Sequence, residues 1–448
     1  MNTQSQAKIV SWSTAGEEVC ASAARISTTP GDAGALFEQA RDNPKNRDLI
    51  GKVLASGHRS VAEHAVFSIA LQNVSVFVEQ FFIECRLASF TVKSRRYVDF
   101  SGLGYYVPPE LEGGELTAYR QYMDGLFSAY HALLEADVPK EDARFLLPYA
   151  FYSNFYCTLN ARELAGLLRA IRFGRGRDIP ELQALAGQLE AQLEELFPSL
   201  LPEVRAGNGG DEPAAPPLCR SAAPEWIGEA EAGKVRLLAA PADPMALLEA
   251  AHRTADPCGT RPFSLEELTA SSRPRALEQL SYTFAVSDVS LAGVTHLVRH
   301  RMQSIIVPPI QSVAHSRYIL PDTIRDNAPA CQIYKAALRE AARRLEELAG
   351  MPALRKYGYY YAVAGNVMDV MTTLNARELA LLLRLRTCNR AQWEIREIAV
   401  DMLRLLRSGF PALFDRFGPS CYLTGRCPEG RMTCGRSEEM KARFGGEL

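Results

Sequence analysis

No window of this 448-residue sequence approaches eighteen uninterrupted apolar residues, so none of it reads as a membrane-spanning helix. No apolar run follows a basic stretch near the start, so no signal peptide is expected. With no export signal the expected compartment is the cytoplasm, where disulfides are not expected. An excess of either charge is also missing: 50 Lys and Arg face 52 Asp and Glu, for a net charge of −2. No global field would recruit nucleic acid or an anionic membrane, and any anion site must be a local cluster of arginines. The ten cysteines are scattered except for Cys421, Cys427 and Cys434, whose C-x5-C-x6-C spacing lacks the paired C-x2-C of zinc ribbons. No metal site is expected there. What remains is 47% apolar and 23% charged residues, ordinary globular composition, in a chain longer than one core needs.

Self-similarity decides the domain organisation. TLNARELA occurs at 158–165 and again at 373–380, an offset of 215. Other matches keep that offset: Ala62-Glu63 with Leu277-Glu278, Arg86 with Arg301, and Ser89 with Ser304. Each is followed, after a gap, by Arg-Tyr (Arg96-Tyr97 and Arg317-Tyr318). The stretch 205–226 is rich in Gly, Pro and Ala and lacks periodicity, as a linker does. The reading is therefore a domain at 7–203, a linker at 204–232 and a second copy at 233–448.

Each half opens with a short β-like run (8–12; 234–239) and an amphipathic helix, then a Val/Ile/Phe-rich segment at 66–78 or 280–291 that reads as a strand. Asn375 with Glu378 three residues on is a capping-box pattern, so TLNARELA should open a helix, with Leu379, Leu382, Leu383 and Leu385 on its core face. Helices and strands without βαβ alternation argue α+β. His58, His131 and His252 sit in helical patterns as ordinary residues.

LVRHRMQS at 297–304 places Arg299 and Arg301 on either side of His300. Two guanidinium forks suit phosphate, although so short a motif is equally a solvated basic turn. Arg-His-Arg, Ser three positions on, then a Ser-x-Arg-Tyr type ending resembles the signature of the flavin-dependent thymidylate synthases. EHAVFSIAL at 63–71, ARFLLPYAFYSNFYCTLNARELAGLLR at 143–169, LRLRTCNRAQWEIREIA at 383–399 and the tail at 418–436 resemble the same family, over nearly the whole chain outside the linker.

The resemblance implies two copies of that family's domain, a mixed sheet packed with long helices. It implies methylation of dUMP to dTMP, with FAD as cofactor and NADPH and methylenetetrahydrofolate as co-substrates. It also implies sites formed where four domains meet, hence a homodimer acting as a four-domain assembly. Carried over residue by residue, the halves differ. In ECRLASFTVKSRRY (84–97), Ser94, Arg96 and Arg144 fit the nucleotide-holding positions, but Glu84 and Cys85 stand where the flavin-binding Arg and His belong. Glu84 beside a phosphate would be repelled by about 1–4 kcal/mol at 4 Å. In the second half Arg299, His300, Arg301 and Ser304 are intact, with Asn375, Arg377 and Arg390 expected near the flavin and Arg386 near the nucleotide; Arg96 and Arg386 are the expected catalytic pair. Ile171 stands near the Arg386 position in the first half, where no helix like 391–396 is expected. Six extra residues fall within 305–315, the signature serine becomes His315 or shifts to Ser316, Tyr359 replaces the phosphate arginine, and Gln279 stands where the first half has His64. The losses are complementary. Two readings stay open: the halves divide the work, or one or both have decayed to a nucleotide- or flavin-binding relative. The altered loop also allows another pyrimidine nucleotide or hydroxymethyl transfer.

Overall fold

The computed structural model describes residues 4–207 and 228–446, so most of the expected linker lies outside the described residues. The chain divides into two compact units, and the division is not at the linker alone. Described residues up to 207 are joined by 323–363 in one unit, and 228–322 with 364–446 form the other.

The first unit carries strands β1 (Gln6–Trp12), β2 (Val66–Ser75), β3 (Ala88–Val92) and β4 (Tyr152–Asn160), in the order β1-β2-β4-β3 and antiparallel throughout. The second carries β5 (Gly228–Glu229), β6 (Lys234–Ala239), β7 (Ser281–Ser290), β8 (Gln303–Ile306), β9 (Ala314–Tyr318) and β10 (Asn366–Asn375). Its order is β5-β9-β10-β7-β6, with β8 also on β10. The architecture is α+β, as expected, and only the second sheet is mixed, through the parallel pair β5 and β9. β9 follows the segment that holds the extra residues and carries Arg317-Tyr318; among the described residues the first sheet has no corresponding strand.

One local device recurs in both units and aims the signature segment. Near the end of β2, Asn73 adopts φ 50°, and near the end of β7, Asp288 adopts φ 56°. Asn and Asp tolerate this left-handed region better than other side chains. The backbone N–H of each donates to a side chain of the neighbouring strand, Asn154 Oδ1 at 3.1 Å and Asp369 Oδ1 at 2.9 Å. Pairing shifts register there, and two residues on a serine starts a helix. Ser75 caps Val76–Ile83 and Ser290 caps Leu291–Leu297, each hydroxyl accepting from the N–H three residues on. A buried carboxylate from a later helix fixes each serine: Glu181 accepts from Ser75 N–H at 2.8 Å, and Glu394 from Ser290 N–H at 2.7 Å. Glu181 lies on helix Pro180–Leu196 and Glu394 on Trp393–Gly409. The expectation that the first half lacks a helix like 391–396 is therefore corrected. The helix is present, but the chain reaches it through a different sequence, so the motif comparison missed it.

The octapeptide straddles a boundary, with TLN ending a strand and ARELA opening a helix. Asn160 and Asn375 each accept the N–H of the glutamate three residues on, at 2.9 Å. Of the expected core face, Leu379, Leu382 and Leu383 are buried, while Leu385 is 47% exposed. Leu385 falls two positions after Leu383, which turns it off the buried stripe of a 3.6-residue helix.

Residues 323–363, read in the sequence as part of the second copy, complete the core of the first unit. Helix Ala328–Gly350 packs on helix Gly113–Glu135. Behind it Tyr357, Tyr359, Tyr360 and Tyr361 are all buried. The Phe77 and Tyr359 rings lie 4.6 Å apart, Tyr360 donates to Glu181 at 2.6 Å, and Tyr149 N–H donates to Ala362 C=O at 2.8 Å. No helix among the described residues is long and apolar enough to cross a membrane.

Candidate functional site

The expected nucleotide-holding residues come together inside the first unit. β3 runs out at Val92, and the chain turns through Ser94, Arg95 and Arg96. Ser94 Oγ accepts Arg96 N–H at 3.3 Å, which shapes this turn. Arg95, only 6% exposed, forms an ion pair with the fully buried Glu79, which also accepts from Ser153. Arg96 pairs with Glu141 through two nitrogens, at 2.8 and 3.2 Å. Arg144 is 3% exposed and donates from Nε to the Glu141 carbonyl at 2.9 Å, whereas its Nη2 is buried with no partner among the described residues. Burial first, then the nearby Arg95, depresses this guanidinium to about 10, still charged at neutral pH. A cation removed from water, beside two others and with a nitrogen unspent, is chemically matched to an oxyanion. Arg95 and its Glu79 counter-charge were not singled out in the sequence; the doubled arginine at 95–96 was the available signal.

The first unit's copy of the expected flavin position carries other contacts. Glu84 forms an ion pair with Arg175. Cys85 lies 3.5 Å from the Glu163 carboxylate, and burial, reinforced by Glu163, pushes its thiol up to about 12. Both line a cavity of about 510 Å³ together with Arg59, Arg162, Arg169 and Arg175. Each of these arginines is engaged by a carboxylate: Arg59 and Arg169 by Glu203, Arg162 by Glu63, and Arg175 by Glu84. This donor set does not fit a flavin diphosphate.

The second unit presents the complementary set. The turn after helix Leu291–Leu297 carries Arg299 and Arg301 exposed and His300 buried between them. His300 Nδ1 lies 3.0 Å from Glu378 Oε1, and Arg386 Nε donates to His300 Nε2 at 3.0 Å. Glu378 is the counterpart of Glu163, so the position filled by Cys85 in one unit is filled by His300 in the other. Burial, with Arg386 adding to it, lowers the imidazole below its usual value against the pull of Glu378, which favours the neutral ring. Ser304 is exposed on β8, in register with Thr373. Asn375 is spent as a helix cap and Arg377 on Glu278, as Asn160 and Arg162 are in the first unit. Arg390 lies half-buried between helix Ala376–Arg386 and helix Trp393–Gly409. His315, at the altered signature position, is on β9 with Nε2 buried and without a partner among the described residues; burial lowers it to about 4. Tyr359, in place of the phosphate arginine, has a buried hydroxyl likewise without a partner among the described residues and belongs to the first unit's core. Cys421 is buried and Cys427 and Cys434 half-buried.

The profile of the family described as thymidylate synthase complementing protein matches residues 8–199 and again 237–412. A flavin-dependent thymidylate synthase from Geobacter sulfurreducens is 34% identical over 192 residues, 40% of this chain and 79% of that protein. One from Nitratidesulfovibrio vulgaris is 33% identical over 232 residues, 45% of this chain and 94% of that protein. Among solved structures, a UMP/dUMP methylase from Streptomyces cacaoi bound with 5-Br dUMP aligns at a TM-score of 0.38 and 26% identity, over 46% of this chain and 96% of that one.

Proposed function

Because the chain belongs to the thymidylate synthase complementing protein family, whose similar curated members are flavin-dependent thymidylate synthases, we propose that it methylates dUMP to dTMP. Methylenetetrahydrofolate is the proposed carbon donor and NADPH the reductant of a bound FAD. The observation that carries the nucleotide reading is Arg144, a buried guanidinium with an unspent nitrogen. Arg144 and Arg96 would take the phosphate, with Ser94 beside it. The phosphate would compete with Glu141 for Arg96, whereas the Nη2 of Arg144 has no hydrogen-bond partner to displace among the described residues.

The donor set for the flavin is present in the second unit and absent from the first. Arg299 and Arg301 would hold the FAD phosphates, with His300, Ser304, Asn375, Arg377 and Arg390 around them. The flavin supplies the hydride that ends in the product methyl group. Arg386, anchored through its Nε, would face the pyrimidine, and with Arg96 it forms the proposed catalytic pair. The two units thus divide the labour, with one flavin and one nucleotide per chain, and two chains would make the four-domain assembly.

The test is titration of the FAD-loaded protein with dUMP, followed by flavin absorbance and counted per chain. One FAD and one dUMP per chain, with dTMP formed on adding NADPH and methylenetetrahydrofolate, is the expected result. Arg301→Ala should lose flavin, while Arg144→Ala should lose dUMP and keep flavin. The altered segment at 305–315 favours one second reading, action on another pyrimidine nucleotide or hydroxymethyl transfer. Bound flavin that ignores dUMP but responds to a different pyrimidine nucleotide would select it.

A further inference from the structure

We infer that Glu378 is a positioning residue that fixes His300 as its Nδ1–H tautomer, so that Nε2 accepts from Arg386 and holds that guanidinium in place. This rests on the reading above that Arg386 acts on the nucleotide.

Only one proton arrangement satisfies both contacts. Arg386 Nε carries a hydrogen and has no lone pair to offer, so the His300 Nε2 lying 3.0 Å away must be the acceptor. The ring proton is then on Nδ1, which lies 3.0 Å from Glu378 Oε1, and a carboxylate accepts it. Glu378 is itself 6% exposed and His300 5% exposed, so water does not readily replace either partner. Protonating His300 would place an N–H and a positive charge against Arg386, breaking the anchor. The charged groups that act on the ring are Glu378 and Arg386 on the facing helix, and His296, Arg299 and Arg301 are the titratable neighbours along its own segment.

The duplication supplies an internal comparison. Glu163 occupies the same place in the first unit, but it meets Cys85, and Ile171 stands where Arg386 would be. The carboxylate survives in the shared octapeptide, and the relay exists only where a histidine and an arginine accompany it.

Three variants of the full chain test this, Glu378→Gln, Glu378→Leu and Arg386→Ala, read by kcat and KM for dUMP across pH. Nitrogen-15 NMR of histidine-labelled protein, with His300 assigned by its loss in His300→Asn, reads the tautomer directly. Wild type should show Nδ1–H. Glu378→Gln keeps an acceptor, so the tautomer should persist and kcat should stay within about threefold, but the acidic limb of the profile should move to lower pH because the anion favouring protonation is gone. Glu378→Leu should lose the single tautomer and about ten- to a hundredfold in kcat, towards the Arg386→Ala level. If Glu378→Leu does not fold, the wild-type tautomer and the Glu378→Gln limb decide. An Nε2–H ring in wild type, an unmoved limb in Glu378→Gln, or a fully active Glu378→Leu beside a dead Arg386→Ala would overturn the assignment. A fully active Arg386→Ala would instead overturn the functional reading, and the NMR result would still stand or fall on its own.

Discussion

Arg144 is the buried cation on which the proposed phosphate contact turns. Its guanidinium is desolvated, lies near Arg95 and Arg96 as well as Glu141 and Asp142, and donates from Nε to the Glu141 carbonyl. The charged form is disfavoured in the folded protein, so the side chain contributes a cost that an anion would relieve. Arg144→Leu should therefore leave the apo melting temperature unchanged or raised, and should abolish the rise in melting temperature that dUMP produces in wild type. A variant that melts well below wild type without ligand would mean Arg144 is a structural cation. The family resemblance placed Ser94, Arg96 and Arg144 among the candidates, and all three lie within one unit. Arg95, which neutralises Glu79, was not legible, because a buried ion pair between residues 79 and 95 has no local spacing signal.

At the scale of elements, the switch from strand to helix at Ser75 and Ser290 sets where the signature residues fall. A left-handed Asn or Asp, a capping serine and a buried glutamate recur in both units. Glu181 accepts from the Ser75 N–H and hydroxyl, from Ser5 and from Tyr360. Glu181→Leu should strand several buried donors and cost about 3 kcal/mol, measured by denaturant unfolding. Asn160→Ala removes a cap on an otherwise sound helix and should cost about 1 kcal/mol in the same measurement. If the two variants cost the same, the glutamate does not have the role assigned to it. The octapeptide caps and strands β1, β2, β6 and β7 were readable because they depend on neighbours within a few residues, whereas the Ser75 and Ser290 caps and strands β4 and β10 were not read. Helix Pro180–Leu196 was not matched to Trp393–Gly409, since only the glutamate and the apolar face are shared and the motif around them is not.

At the scale of the whole chain, the compact units do not follow the order of the sequence. Within residues 323–363, the stretch 357–361 alone brings four buried tyrosines to the first unit. At about 200 Å² each, their burial corresponds to an upper figure of about 20 kcal/mol. That exceeds the about 5–15 kcal/mol by which a typical domain is stable. A chain ending at residue 207 should accordingly fail to fold cooperatively, and adding 323–363 back within one polypeptide should restore a sharp thermal transition. A soluble, cooperatively melting 4–207 fragment would contradict this.

The sequence by itself determined the duplication, the α+β class, the strands β1, β2, β6 and β7, the Asn160 and Asn375 caps, and that Arg299-His300-Arg301 stands in one half where Glu84-Cys85-Arg86 stands in the other. Each of those is written in local pattern or in the 215-residue repeat. Only the tertiary structure decided that Glu84 is neutralised by Arg175, that Glu378 and Arg386 grip His300 from either side, and that 323–363 belongs to the first core. These depend on which distant side chains share a buried volume, and burial is a property of packing that no spacing along the chain encodes.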